Sequence, residues 1–504
     1  MLGLIAAMVV AGLASGGAAT PAGPLARTES AYADWLDATY AVSTLSAGAL
    51  ARIDGRDLLA WRTALTTSAA KLKADLARAG RQALNGEDAR ALRHMRSAFA
   101  EPPDAPAATT AQEAGARCET ASDRRLGRAA LSAALYGCFE HFGNHIVFEG
   151  RTIARTTALE LLQELDDGGR RKALFAALTP LTRRIDGDDS PASPYRRLIR
   201  LASPESRASG ASPIALAART VGASPAEVEA WLVAVLERWR VANPGPTLEP
   251  WDYWSHYARG ARPLDALVPP ERITELSFRY WRDLGLDLAA AGTIHDLGVR
   301  PGKAPLAYAD FIRIGRETPA GWRPAWTRVS ANVEKGGLFV LNEIVHEDGH
   351  VAHMMAVRAR PAYFELGDDL FVEAFADVAS WAVADPAWQR RYLGQEVDAA
   401  AGKRALLANV MLDVAWGLFE LRMLRDPGAD PDAVWTEITS RYLNIRPHPE
   451  MAWWALRVQL VDSPGYMINY GLGAVLTADL RRRFRERVGD FDAGNRRWYR
   501  YASD

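Results

Sequence analysis

The chain has little that would commit it to most kinds of chemistry. Its 504 residues include two cysteines and nine histidines, and basic and acidic side chains nearly cancel, 60 against 61. Cys118 and Cys138 cannot form a thiolate metal cluster, and they lack metal-ligand spacing. A formal charge of −1 with no long basic stripe excludes a nucleic-acid partner of the usual electrostatic kind. No Gly-x-Ser-x-Gly elbow is present. The glycines at 471 and 473, and at 292 and 298, lack the Lys-Ser/Thr ending of a phosphate loop. The apolar run Leu2–Leu13 is too short to span a bilayer, and no other stretch comes closer. It precedes Ala14-Ser15-Gly16-Gly17-Ala18-Ala19, the layout of a signal-peptide core and cleavage site, although Lys and Arg are missing before it. Residues 1–19 are therefore expected to leave on export to a secreted or periplasmic location. There the two cysteines would pair; in a cytoplasmic protein they would instead be buried thiols.

What the chain does have is apolar and helical. Hydrophobic residues make up 49 %, enough for a large core. Periodicity with abundant Ala, Leu and Arg predicts helices over Ser30–Ala47, Gly55–Arg78 and Asp88–Ala98. Pro102–Ala108 reads as a linker, and Ala242–Pro246 as a second break. These divide the chain into residues 20–110, 111–245 and 246–504. The Ala325–Val333 run is the best strand candidate. The sixteen tryptophans suit core and cleft walls better than a cofactor box. The expected fold class is mainly α.

Against that background His346-Glu347-Asp348-Gly349-His350-Val351-Ala352-His353 stands out, with three of the nine histidines. Its first five residues form H-E-x-x-H, a zinc-hydrolase signature when helical. Residues four apart share a helix face, so His346 and His350 can present imidazoles to one ion. Glu347 beside them can take a proton from a water held there. The helix should run from about Leu338 to Arg358–Arg360, where Pro361 stops it. A second helix opens at Asp368-Asp369. The seven residues 361–367 span up to roughly 25 Å, enough to bring it back across the first. Glu373 is then the natural third ligand for one Zn2+ per chain. Asp377, four residues on, could orient a ligand histidine. The plain alternative is that both acids solvate an exposed helix face. His353 could be a fourth ligand, but it reads better as a histidine behind the ligands or one simply packed. Glu140, His141, His145 and Glu149 read as an ordinary helix rather than a second metal site.

His-Glu-x-Gly-His-x-x-His with a later Phe-x-Glu resembles the thimet-oligopeptidase and oligopeptidase F group of zinc peptidases, the gluzincins. The Phe371–Asp377 stretch is also similar to angiotensin-converting enzyme. Leu248–Trp254 resembles the Pro-Trp-Asp segment of the oligopeptidases, and Asp296–Lys303 their Asp-Leu-Tyr-x-Arg-x-Gly-Lys stretch. The resemblance covers about half the chain, from Thr247 to Phe484. It implies two helical lobes around a deep cleft and a small sheet beside the zinc helix, with peptides as substrates. The Ala325–Val333 strand would pair with the substrate backbone. One phenol of Tyr466 and Tyr470 would hydrogen-bond the oxyanion; otherwise these are two core tyrosines.

Two features depart from that pattern. Asp348 stands where the relatives carry an apolar or aromatic residue, and an extra carboxylate there could alter metal affinity or substrate preference. Val461 replaces a family histidine, and the nearest upstream histidine is His448, in a Pro-rich turn. The implied activity is hydrolysis of peptides. The alternatives are a catalytically silent peptide-binding relative and a zinc hydrolase of a non-peptide amide.

Overall fold

The computed structural model describes residues 23–503 except 101–110, 189, 204–212, 301–302, 319 and 365–367. The expected signal peptide and the Pro102–Ala108 linker lie outside the described residues. The fold is mainly helical, with small sheets only. The three early helices run Ala26–Ser46, Leu58–Ala79 and Gly86–Ala100, within a few residues of the periodicity reading. Asp57 starts the second of them, its side chain accepting from Ala60 N at 2.9 Å. No helix among the described residues is long and apolar enough to cross a membrane.

Two large cores organise the molecule. One gathers buried side chains from Cys118 to Tyr257 together with the long helix Ala399–Arg425 and residues 435–474. The other is built from Ile273–Leu284, the helix Leu338–Ala356 that carries the histidines (the motif helix), and Trp388, Phe491 and Trp498. The early helices form smaller clusters that take in Ile312, Ile314 and Ala362 from the later chain. Arg360 locks them there, reaching Glu29, Glu87 and Asp88 at 3.0, 2.8 and 2.9 Å. Cys118 and Cys138 form a disulfide that joins the helices Ala111–Glu119 and Arg128–Gly143.

The predicted strand is present as Trp326–Ser330, but it is the centre of a three-stranded sheet. Ile294–Asp296 pairs parallel on one side and Tyr308–Arg313 antiparallel on the other. Both its edges are therefore occupied, and it has no row of hydrogen-bonding groups left for a substrate. That corrects the expectation drawn for this strand. An outer strand is the one able to pair, and Leu306-Ala307, leading into Tyr308–Arg313, line the central cavity.

Candidate metal centre

The motif helix begins after Gly336-Gly337, both at φ +93°. It has no capping side chain of its own; instead Asp265 Oδ1 accepts from Leu338 N at 2.9 Å. Leu341, Ile344, Val345 and Val351 bury its inner face completely. The crossing helix, Asp369–Ser380, is capped by Asp368, which accepts from Phe371 N at 3.3 Å. The two helices meet at Gly349: a Cβ there would lie 2.6 Å from Ala376 Cα. Only a glycine allows so close an approach. It brings Glu373 up to the two histidines, 23 and 27 positions earlier in the chain.

His346 Nε2 lies 3.0 Å from His350 Nε2 and 3.4 Å from Glu373 Oε2, which is 3.6 Å from His350 Nε2. Tetrahedral zinc with bonds of ~2.0–2.1 Å separates its ligand atoms by about 3.3 Å. The three donors therefore match the face of such a site. Glu373 Oε2 is buried and takes no hydrogen bond, so two nitrogens and an oxygen converge on a point that calls for a cation. Among the described residues this is the one His/Cys/Asp/Glu group so arranged. His346 Nδ1 meets Asp377 Oδ1 at 2.8 Å, which puts the ring proton there and turns the Nε2 lone pair inward. Asp377 is held in turn by Ser380 Oγ at 3.1 Å.

Glu347 is buried beside this point, its Oε2 without a hydrogen-bond partner. Burial pushes its carboxyl up to about 7, against the pull of the His350 and His346 rings. Tyr466 Oη donates to Glu373 Oε1 at 2.7 Å, so this phenol holds the third donor. Tyr470 lines the cavity; its Oη accepts from Gln459 Nε2 at 3.3 Å, and the Arg457 guanidinium sits 5.1 Å from its ring centre. Burial, with Glu373 near, keeps both phenols protonated.

Several expectations need correcting. The helix Met467–Val488 carries Tyr470, and Tyr466 precedes its first turn with no side chain capping it. Gly465, at φ +102°, turns the chain so that buried Glu420 accepts from Gly465 N at 2.7 Å and Met467 N at 2.9 Å. Asp348 does not face the metal donors. Two residues from His346 it lies about 200° around the helix, on the far side. There it is fully buried, accepting from Ser277 Oγ at 2.6 Å and His295 Nε2 at 2.9 Å. Thr274 Oγ1 completes the chain at His295 Nδ1, 3.0 Å away. His353 packs 5.9 Å from the rings of Phe371 and Phe375, and burial brings its pKa down to about 4. It is a neutral packing residue. Val461 is buried and His448 is tied to Glu249 and Glu450 at 2.8 and 2.7 Å, so neither supplies the family histidine. Arg457 and Gln459 are the polar groups this segment sends into the cavity. Glu149 pairs with Arg170 at 2.7 Å, away from any metal grouping.

Residues not singled out in the sequence complete the site. The cavity, about 240 Å³, opens between the two large cores and is lined by His346, Glu347 and Tyr470 together with Arg155, Glu160, Gln163 and Glu343. Arg155 leans on Pro305 O, and Arg457 pairs with Asp413. No local pattern marks these positions; their partners lie 150 and 44 residues away.

No family model and no curated protein sequence matches the chain. Solved structures do. One is a PZ peptidase A held with an inhibitor, 14 % identical, TM-score 0.54, covering 91 % of this chain and 88 % of that one. Another is a protein assigned as oligoendopeptidase F, 14 % identical, TM-score 0.51, covering 92 % and 88 %. The chain shares the fold of these two peptidases. The likeness runs over nearly the whole length of each chain, so both cores fall within it.

Proposed function

We propose that the protein is an exported zinc peptidase that hydrolyses peptides with activated water. The observation carrying this reading is the convergence of His346, His350 and a buried, unpartnered Glu373 oxygen beside a buried Glu347. It occurs on a cavity wall within a peptidase fold. The disulfide suits an oxidising compartment.

Zinc held by the three donors supplies Lewis acidity, which polarises a carbonyl and acidifies water. Glu347 takes the proton of the attacking water as the new C–O bond forms. It then delivers that proton to the amide nitrogen as the C–N bond breaks. Tyr470, the phenol that faces the cavity, donates to the oxyanion, while Tyr466 holds Glu373. Asp377 fixes the His346 tautomer. A cavity set between two cores suits an extended peptide better than a folded domain.

The test is mass spectrometry of a mixed peptide library incubated with wild type, Glu347→Gln and chelated protein. Cleavage by wild type and by neither control supports the proposal, and the cut positions separate endo- from exopeptidase action. A folded, zinc-loaded wild type that cuts nothing overturns it.

A further inference from the structure

The helix Arg155–Glu164 forms part of the cavity wall, and two of its side chains have buried polar atoms without partners. Glu160 is 6 % exposed, and its Oε2 accepts no hydrogen bond. Gln163, one turn later and 8 % exposed, has an Nε2 that donates none. Both line the cavity that holds His346 and Glu347. Buried polar groups are rarely left unsatisfied without a reason, because each costs on the order of 1–3 kcal/mol. Here a buried acceptor and a buried donor stand side by side in a solvent-connected space. The pairing they lack is a cationic donor next to a carbonyl acceptor.

The surroundings favour a cation. Apart from Glu347 and Asp377, the cavity wall carries five carboxyl groups against two guanidiniums, Arg155 and Arg457. Arg457 is engaged by Asp413. Arg262, near this end, is engaged by Asp166 and by Ser255. Glu160 takes a hydrogen bond from the backbone N–H of Lys335 and feels its charge, but its Oε2 is left without a partner. Glu164, one turn along the same helix, adds a second carboxylate. Burial and the neighbouring Glu164 push the Glu160 carboxyl up to about 8, against the backbone N–H and charge of Lys335, so a cation that binds here displaces the carboxyl proton to solvent.

We propose that Glu160, supported by Glu164, is a subsite for a cationic group of the peptide, with Gln163 donating to an adjacent peptide carbonyl. The group is an ammonium, whether a free amino terminus or a lysine side chain. The inference deepens the peptidase reading, yet it is tested by binding alone, so failure of catalysis and failure of the subsite are separable.

The experiment is calorimetric titration of zinc-loaded, full-length Glu347→Gln protein with alanine hexapeptides blocked at both ends. Each carries one lysine, moved through the six positions, or Nε-acetyl-lysine at the same place. A further arm uses the unblocked all-alanine hexapeptide against its N-acetylated form. The expected result is a preference of about 10- to 100-fold for the charged form in one register or at the free terminus, the usual worth of a hydrogen bond to a charged group. Adding Glu160→Gln should collapse that preference to within about 2-fold, and Glu164→Gln should reduce it. The arm that responds tells a lysine side chain from an amino terminus. Equal binding of charged and acetylated peptides in every arm overturns the subsite, as does a preference that survives Glu160→Gln. Should Glu160→Gln not fold, Glu164→Gln and the charged-versus-acetylated comparison decide it alone.

Discussion

Gly349→Ala isolates the contact on which the metal donors depend. A Cβ at this position would lie 2.6 Å from Ala376 Cα, 2.7 Å from its carbonyl oxygen and 3.0 Å from its carbonyl carbon. All three are backbone atoms, so no side chain can swing aside. Restoring ordinary contact at ~3.5 Å requires the motif and crossing helices to part by about 0.8–1 Å. Two effects on stability compete. Replacing glycine by alanine inside a helix gains about 1 kcal/mol, while overpacking a closed contact costs about 1–3 kcal/mol. The net loss of stability is therefore small. The effect on the site is not, because His346 and His350 ride on one helix and Glu373 on the other. A donor set must hold its geometry within about 0.5 Å, so zinc affinity should fall by at least about 10-fold. Chelator competition measures that affinity, and thermal unfolding of the metal-free protein measures the packing cost. Gly298→Ala, where an added Cβ meets nothing within 4 Å, is the control. A Gly349→Ala protein that binds zinc like wild type would refute both the close-approach argument and the assignment of Glu373 as a ligand.

Asp377→Ala removes the partner of His346 Nδ1 and should weaken zinc by about 10- to 100-fold in the same competition assay, with little change in metal-free stability. Undiminished affinity would mean that Asp377 does not orient the ring. Asp348→Ala strands the buried His295 and Ser277 and should cost about 3–5 kcal/mol in denaturant unfolding while the folded fraction still binds zinc. An unchanged unfolding midpoint would remove Asp348 from the packing account. Glu160→Gln should change how stability depends on pH. The folded carboxyl titrates near 8, well above the unfolded value near 4.3, so the folded state keeps a proton that the unfolded state has released between those limits. Wild-type stability therefore falls as pH rises from about 5 to 8 through this group, by on the order of a few kcal/mol, and the variant escapes that loss. Melting temperatures at pH 5 and pH 8 should show the variant gaining on wild type at the higher value. A constant gap would show that Glu160 is not held protonated.

What was legible in the sequence was local or periodic. H-E-x-x-H spacing, the Asp368 cap, the stop before Pro361 and the four-residue step from Glu373 to Asp377 each depend on a helix turn, and a helix turn is written in neighbouring residues. The far-side position of Asp348 was legible in the same way, since a two-residue step points away from a face set by residues four apart. Other features came only from tertiary structure, because the atoms concerned are neighbours in space and distant in the chain. Tyr466 reaches Glu373 across 93 residues and Glu420 caps Met467 across 47, with no periodicity to link either pair. The Trp326–Ser330 strand has the composition of any buried strand. Nothing in it says that two others would close both its edges. The sequence by itself determined which residues could hold a metal and on which helices they stand. The tertiary structure decided which phenol faces the cavity, which acid is buried structure, and that Glu160 lines that cavity with its Oε2 left without a hydrogen bond. Those outcomes depend on how two cores pack, and packing is a property of the whole chain at once.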